Sequence, residues 1–414
     1  MRKSLFFLVM LLFATVIASS AWAGGRGVNN RRVDKLRVMT RNLYIGADIL
    51  GVNEPRPCGA LQSVHELFED IIASNPPERM EAIADEILRR RPQVVALQEV
   101  YRISTQFPSN SLECNPSTGQ CDFANYKVNV DDENISITFI PDASDVVFDY
   151  LELLLDALAV RGLQYDVVWD ALAYESDFEF PSWNLDPGLG CYPASGAPLL
   201  PTDVRAEDRD VILVRSDVET ANGTASHYST LLPFTISTGT DSPDVKIISV
   251  RGYGAADLTY QGQTYRFVNT HLEVDDQSSE HSPLNQIQAA QAQELIQVLE
   301  FETLPLVIAG DFNSSPDPSD VTVSYELMVS AGYTDIWTQF RWRPGNTCCQ
   351  AADLMNFDSE LSKRIDLILV RPSDETVLLP SPAWVTGNRQ RDKTATGLWP
   401  SDHAGVAAKL RFKQ

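Results

Sequence analysis

At 414 residues, with 33 Lys and Arg against 56 Asp and Glu, the chain carries a formal charge of −23. A field of that sign keeps a protein soluble and repels polyanions at long range, so a phosphate ligand is admitted only where a bound divalent cation reverses the potential locally. The length exceeds the usual single domain, yet no internal repeat and no Pro/Ser linker separates two cores, which favours one large domain with insertions.

The N-terminus places Arg2 and Lys3 before an apolar run, Leu5 to Ile17, and then Ser19-Ser20-Ala21-Trp22-Ala23. This is the order of a secretory signal peptide, with cleavage expected after Ala23. The run is shorter than the roughly 20 apolar residues of a membrane anchor, and no later segment approaches that length. The mature chain is therefore expected to be secreted or periplasmic, with a loose terminus over 24–35 and one large domain over 36–414.

Within that domain "KLRVMTRNLY" reads as a strand, with Leu36, Val38 and Leu43 set against polar neighbours. "PERMEAIADEILRRRP" has Pro77 at its start, Met80, Ile83, Ile87 and Leu88 at helical spacing, and Pro92 as a stop. "QVVALQEV" follows as a buried strand that ends on Glu99. Arg102 to Ala143, rich in Ser, Asn, Asp and Pro, reads as an insertion. "DVVFDYLELLLDALAVRG" predicts a helix closed by Gly162, and "LQYDVVWDAL" a strand. Glu175 to Asp208 reads as a second long inserted loop, near 175–208, with Phe178, Phe180, Trp183 and Tyr192 as its aromatics.

Four further strands are "RDVILVR", "KIISVRG", "YRFVNTHLEV" and "LPLVIAGDFN". Between the last two, "NQIQAAQAQELIQVLE" predicts a helix with Ile287, Ala290, Leu295 and Val298 on one side. The tail adds "RIDLILVRP" and "SDHAGVAAKL". Many strands, few helices and frequent alternation point to an α+β fold, a four-layer α/β/β/α sandwich of two mixed sheets flanked by helices.

Six cysteines in an exported chain are candidates for disulfides. Cys114 and Cys121 close a short loop of turn formers and are the first expected pair. Cys58, Cys191, Cys348 and Cys349 remain open, the adjacent Cys348 and Cys349 being expected to reach different partners. No Cys or His cluster has the spacing of a zinc site.

The polar residues that interrupt the strands are Asn42, Glu99, His271, Asp311, Asn313, Asp366, Asp402 and His403, each at or near a strand end. Asp311 and Asn313, two apart on an extended chain, project to the same side. Singly, each has a structural explanation: Asn42 as a turn cap, Glu99 as a solvated acid, a lone histidine as a satisfied polar group. Asp366 is harder to dismiss, since a carboxylate between Ile365 and Leu367 needs a partner when buried.

Jointly, "MTRNLY", "VVALQEV", "FVNTHLEV", "IAGDFNSSP", "RIDLILV" and "WPSDHAGV", in that order from about Leu36 to Leu410, resemble the endonuclease/exonuclease/phosphatase superfamily. That superfamily includes pancreatic-type deoxyribonucleases, apurinic endonucleases, bacterial sphingomyelinases and inositol polyphosphate phosphatases. The resemblance implies that Glu99 and Asn42, with Asp402, hold Mg²⁺ or Mn²⁺, hard cations suited to few oxygen ligands. It also implies that Asp311 orients or deprotonates the attacking water, that Asn313 contacts a phosphate oxygen, and that His403, oriented by Asp366, contacts the scissile phosphate. His271 is implied as a second imidazole at the transition state. Two positions depart from the family pattern. Arg41 stands where an aromatic is usual and is a candidate substrate contact; Asp210 stands where a small residue or amide is usual, either partnering His271 or capping a strand.

The implied activity is hydrolysis of a phosphodiester or phosphomonoester by a monomeric, secreted phosphoric ester hydrolase. The substrate class stays open between a small molecule, a nucleic acid and a lipid headgroup. An endonuclease needs phosphate-positioning bases, for which Arg89-Arg90-Arg91, "RWRPG" and "GNRQRDK" are the candidates. A sphingomyelinase-type enzyme would use the Phe178–Tyr192 aromatics for membrane docking, although those rings serve equally as core. A non-catalytic binding protein on the same scaffold would have lost the catalytic groups, which are all present.

Overall fold

The long strands are apolar on both faces, and both faces are used. A computed structural model describes residues 32–49, 56–114, 121–131, 134–189, 191–198, 200–236, 244–279, 281–340 and 344–414. The leader, its cleavage position and the first residues of "RWRPG" lie outside them. Along Val94–Gln98 all five residues are buried, and along Leu306–Asp311 all six.

Side chains alternate across a strand, and here the alternation sorts residues into three cores. Leu36, Val38, Val94, Ala96, Ile212 and Val214 of one sheet meet Leu258, Phe267, Val307, Ala309, Ile368 and Val370 of the other. Their neighbours Met39, Val95, Leu97, Val211 and Leu213 face Met80, Ile83 and Ile87 of the helix Pro76–Arg90 and Leu151 and Leu154 of the helix Tyr150–Val160. On the far side Val268, Leu306, Ile308, Leu367 and Leu369 face Ala292 and Leu295 of the helix Pro283–Val298. The result is the four-layer α/β/β/α sandwich.

Register brings the polar strand ends to one rim. In the first sheet Val33–Asn42 runs parallel to Val94–Gln98, with Asn42 beside Gln98, and antiparallel to Gly405–Lys413. In the second, His271 pairs with Asp311 in parallel register, and Asp311 with Asp366 antiparallel. Gly310 precedes that rim because the Thr270 carbonyl oxygen occupies the place of a Cβ. Beneath it a polar bridge crosses the dry core: Gln98 Nε2 donates to Asn269 Oδ1 at 2.6 Å, and Asn269 Nδ2 donates to the carbonyls of Leu97 and Val211.

Several elements differ from expectation. The two stretches read as insertions carry strands. Arg102–Gln106 and Ala173–Ser182 both pair with the long strand Thr202–Arg215, while Tyr126–Asp131 and Asn134–Phe139 join Leu232–Ile236 and Asp244–Ser249 in a four-stranded sheet. Polar edge residues had hidden the alternation. The predicted helix from Asp145 begins only at Tyr150, because Val146 and Val147 lie in a strand and Asp149 caps the helix by accepting from Leu151 and Glu152 N–H. The helix Pro283–Val298 buries Asn285, Gln288 and Gln291 with Ala292 and Leu295, while Val298 is half exposed.

Cys114 pairs with Cys121 as expected, and Cys58 with Cys191. The expectation for the remaining two is corrected: Cys348 and Cys349 are joined to each other, and no cysteine is free. None of the described helices is long and apolar enough to cross a membrane.

Candidate active site

A cleft of about 860 Å³ opens at the rim, lined by Glu99, His271, Asp311, Asn313, Asp402 and His403 together with Arg251 and an apolar wall. Asp311 is its centre. Its Oδ2 accepts from Asn42 Nδ2 at 3.1 Å and lies 3.7 Å from His271 Nε2 and 3.6 Å from His403 Nδ1, while Oδ1 accepts the Asn313 N–H at 2.9 Å. Burial works against the Asp311 charge, but His403, His271 and these two donors hold its carboxyl below the ordinary range. It is an ionised acceptor, suited to orienting water.

His403 meets Asp366 Oδ2 through Nδ1 at 2.9 Å. Burial opposes its protonation, yet Asp366, Asp402 and Asp311 raise the imidazole well above its usual pKa, so it is a cationic donor at neutral pH. Asp402 is pushed up to about 6 by burial, with the charges of Glu99 and Asp311 adding to the effect and His403 opposing it. Glu99 Oε1 accepts from Asn42 Nδ2 at 2.9 Å and Oε2 from Ile45 N–H. Glu99 and Asn313 both adopt positive φ, 54° and 46°, a conformation uncommon outside glycine and concentrated at functional sites.

Carboxylates outnumber cations at this rim, and the donor set suits a hard divalent ion: Glu99 and Asp402 present partly exposed carboxylate oxygens to the cleft. Asn42 is turned otherwise. It presents its amide nitrogen to Glu99 and Asp311, while its Oδ1 accepts the Tyr44 N–H at 2.9 Å and keeps a second lone pair for a cation. Asp311, Asp366 and His403 form a second group close enough to share an ion.

Arg41 does not reach the cleft. It is fully buried, with Nη2 3.1 Å from Glu86 and Nη1 donating to the carbonyl oxygen of His403 at 2.6 Å. Its place is behind the rim, holding two strand ends together. Asp210 is likewise buried, within reach of Glu175 and His271. Burial, Glu175 and Asp208 raise its carboxyl well above the ordinary range, and neither of its oxygens receives a hydrogen bond, so it caps no strand.

Residues that were not singled out complete the site. Arg251 Nη1 donates to Glu175 Oε2 and to His271 Nδ1, both at 2.7 Å, which leaves the His271 proton on Nε2, facing Asp311. Gln288 Nε2 donates to the carbonyls of Glu273 and Asn313, both at 2.8 Å, and so pins the loop after Asp311. Arg251 ends "KIISVRG" as the other site residues end their strands, so the same signal was there; Glu175 lay hidden in a stretch read as loop. Phe180 and Trp183 are buried and serve as core; the side chain of Tyr192 lies outside the described residues.

Two back-to-back sheets carry a rim of carboxylates and imidazoles, the groups that phosphoryl transfer to water calls for. The chain belongs to the Endonuclease/Exonuclease/phosphatase family, whose model matches residues 72–403. Similar solved structures include an endonuclease/exonuclease/phosphatase family protein from Bacteroides thetaiotaomicron, 16% identical over 92% of this chain and 100% of that one, with a TM-score of 0.46. Truncated TDP2 of Caenorhabditis elegans is 13% identical over 91% of this chain and 97% of that one, TM-score 0.44. A mannosyl-6-phosphatase of Bacteroides thetaiotaomicron is 15% identical over 91% and 99%, TM-score 0.43. No curated protein sequence matches the chain.

Proposed function

We propose that the protein is an exported phosphoric ester hydrolase that depends on Mg²⁺ or Mn²⁺ and cleaves its substrate by in-line attack of water. The observation that supports this reading is the placement of Asp311 between Asn42, His271 and His403 at distances of 3.1 to 3.7 Å. Glu99 and Asp402 would hold the cation, with Asn42 beside them. When bound, it neutralises charge on the non-bridging phosphate oxygens.

The chain's own groups supply the rest. Ionised Asp311 accepts a hydrogen bond from the attacking water and takes its proton as the new P–O bond forms and the ester P–O bond opposite it breaks, the leaving oxygen departing to solvent. Protonated His403, held by Asp366, donates to the phosphate, and the Nε2 proton of His271 and the Asn313 amide stabilise developing charge. An N-terminal leader and three disulfides accord with export.

An endonuclease finds less support. Among the described residues the cleft's bases are already engaged, Lys363 with Asp275 at 2.6 Å and Arg251 with Glu175, while Arg89 and Arg90 line a different pocket with Trp384. Hydrolysis of bis(p-nitrophenyl) phosphate tests the proposal. EDTA should abolish it and excess Mg²⁺ or Mn²⁺ restore it; turnover indifferent to chelator would refute the metal dependence.

A further inference from the structure

The cleft is chemically two-sided. One wall is the acid and imidazole rim. The other is apolar: Ile45 and Ile49 from the loop after the first strand, Phe178 from Ala173–Ser182, Leu232 and Ile247 from the four-stranded sheet, and Leu284 at the start of its helix. Ile49, Phe178, Leu232 and Leu284 are only partly buried by the protein itself, so apolar surface faces the cleft beside the reacting centre.

Charge narrows the occupant further. Beyond the rim the cleft carries Asp48, Glu273 and Asp275 against two cations, Lys363 held by Asp275 and Arg251 by Glu175. A second phosphate next to the scissile one would meet an excess of carboxylates and no cleft Lys or Arg without a carboxylate partner. An uncharged hydrocarbon arm meets no such cost and removes both its own surface and that of the wall from water.

Resting on the phosphoesterase reading above, we propose that the substrate is a single-phosphate ester carrying an apolar arm, and that the arm lies against the Ile49–Phe178–Leu232 wall while the phosphate meets Asp311 and His403. This assigns specificity to the four-stranded sheet and its neighbours rather than to the catalytic strands.

The test is a series of alkyl p-nitrophenyl phosphates, methyl, butyl and octyl, assayed below their critical micelle concentrations with saturating Mg²⁺. Water adds to phosphorus and p-nitrophenolate leaves, so the release is read directly. Burial of each methylene predicts a rise in kcat/KM of roughly two- to fourfold per carbon until the wall is covered. Phe178→Ser and Leu232→Gln, at two separate half-buried positions, should each lower the octyl-to-methyl ratio. Octyl ester carried in phosphatidylcholine vesicles and turned over faster than the monomer would mark a membrane source, and turnover confined to the monomer a soluble one; both sustain the apolar arm. A flat chain-length series, or a single-stranded oligonucleotide cleaved with higher kcat/KM than the octyl ester, overturns it. Absence of turnover on every ester with every metal would instead defeat the phosphoesterase reading itself.

Discussion

Asp311 ends a strand of one sheet and His403 lies in the bend before the strand Gly405–Lys413 of the other, 92 positions apart in sequence, yet the carboxylate Oδ2 and the imidazole Nδ1 lie 3.6 Å apart. Asp366, from the strand beside Asp311, closes the triangle at 2.9 Å. Removing either member should therefore cost chemistry more than stability. Asp311→Asn and His403→Ala are expected to lower kcat on bis(p-nitrophenyl) phosphate by about 10²- to 10⁴-fold with an unchanged circular dichroism spectrum. A fall of less than tenfold would remove that residue from the reaction.

Arg41 provides a contrast. Its guanidinium offsets the buried charge of Glu86, whose other oxygen accepts from Thr386 Oγ1 at 2.6 Å. Truncation leaves that carboxylate unpaired in the interior, so Arg41→Ala should destabilise by roughly 3–5 kcal/mol in urea unfolding. KM of the folded fraction should stay near wild type; a KM rise without loss of stability would make Arg41 a substrate contact after all.

Asp208 makes a pH prediction. Burial pushes its carboxyl up to about 8, with Glu175 adding and Arg251 opposing, from an ordinary value of 3.8. Between those values the folded chain keeps a proton that the unfolded chain has released, so the group lowers stability as pH rises from about 4 to about 8, and the loss is complete above that. Glu175, held at about 2 against its burial by Arg251 and His271, acts below this window: its contribution is present above about 4.5 and is lost as pH falls. Asp208→Asn should therefore flatten the decline between pH 5 and 8 and gain on the order of a few kcal/mol over wild type at pH 8. Urea titrations in EDTA at both pH values would show it, and an unchanged slope would refute it.

Gln288 tests the loop that carries Asn313. Its amide satisfies two backbone carbonyls, and Gln288→Leu leaves both without that donor. A loss of about 1–3 kcal/mol is expected, together with a lower kcat as the Asp311–Asn313 turn loosens. Stability reduced with kcat unchanged would confine the residue to a structural role.

The sequence by itself determined the layers and much of the rim. Strands such as Val94–Gln98 and Leu306–Asp311 are so apolar that only a two-sided burial accommodates them, and acids or imidazoles at the ends of such strands are costly enough to mark a purpose. Local patterning works where each residue's environment is set by its own strand. It failed where environment is set from elsewhere. Asn285, Gln288 and Gln291 look like a solvated helix face, but distant carbonyls draw them inward; Arg41 looks like a substrate contact, but Glu86 from a neighbouring helix claims it. Arg102–Gln106 and Ala173–Ser182 find their alternation only against Thr202–Arg215, and Asn134–Phe139 only against Asp244–Ser249. Which polar group is satisfied by which is a property of contacts between segments far apart in the chain, and those contacts exist only once the two sheets have closed on each other.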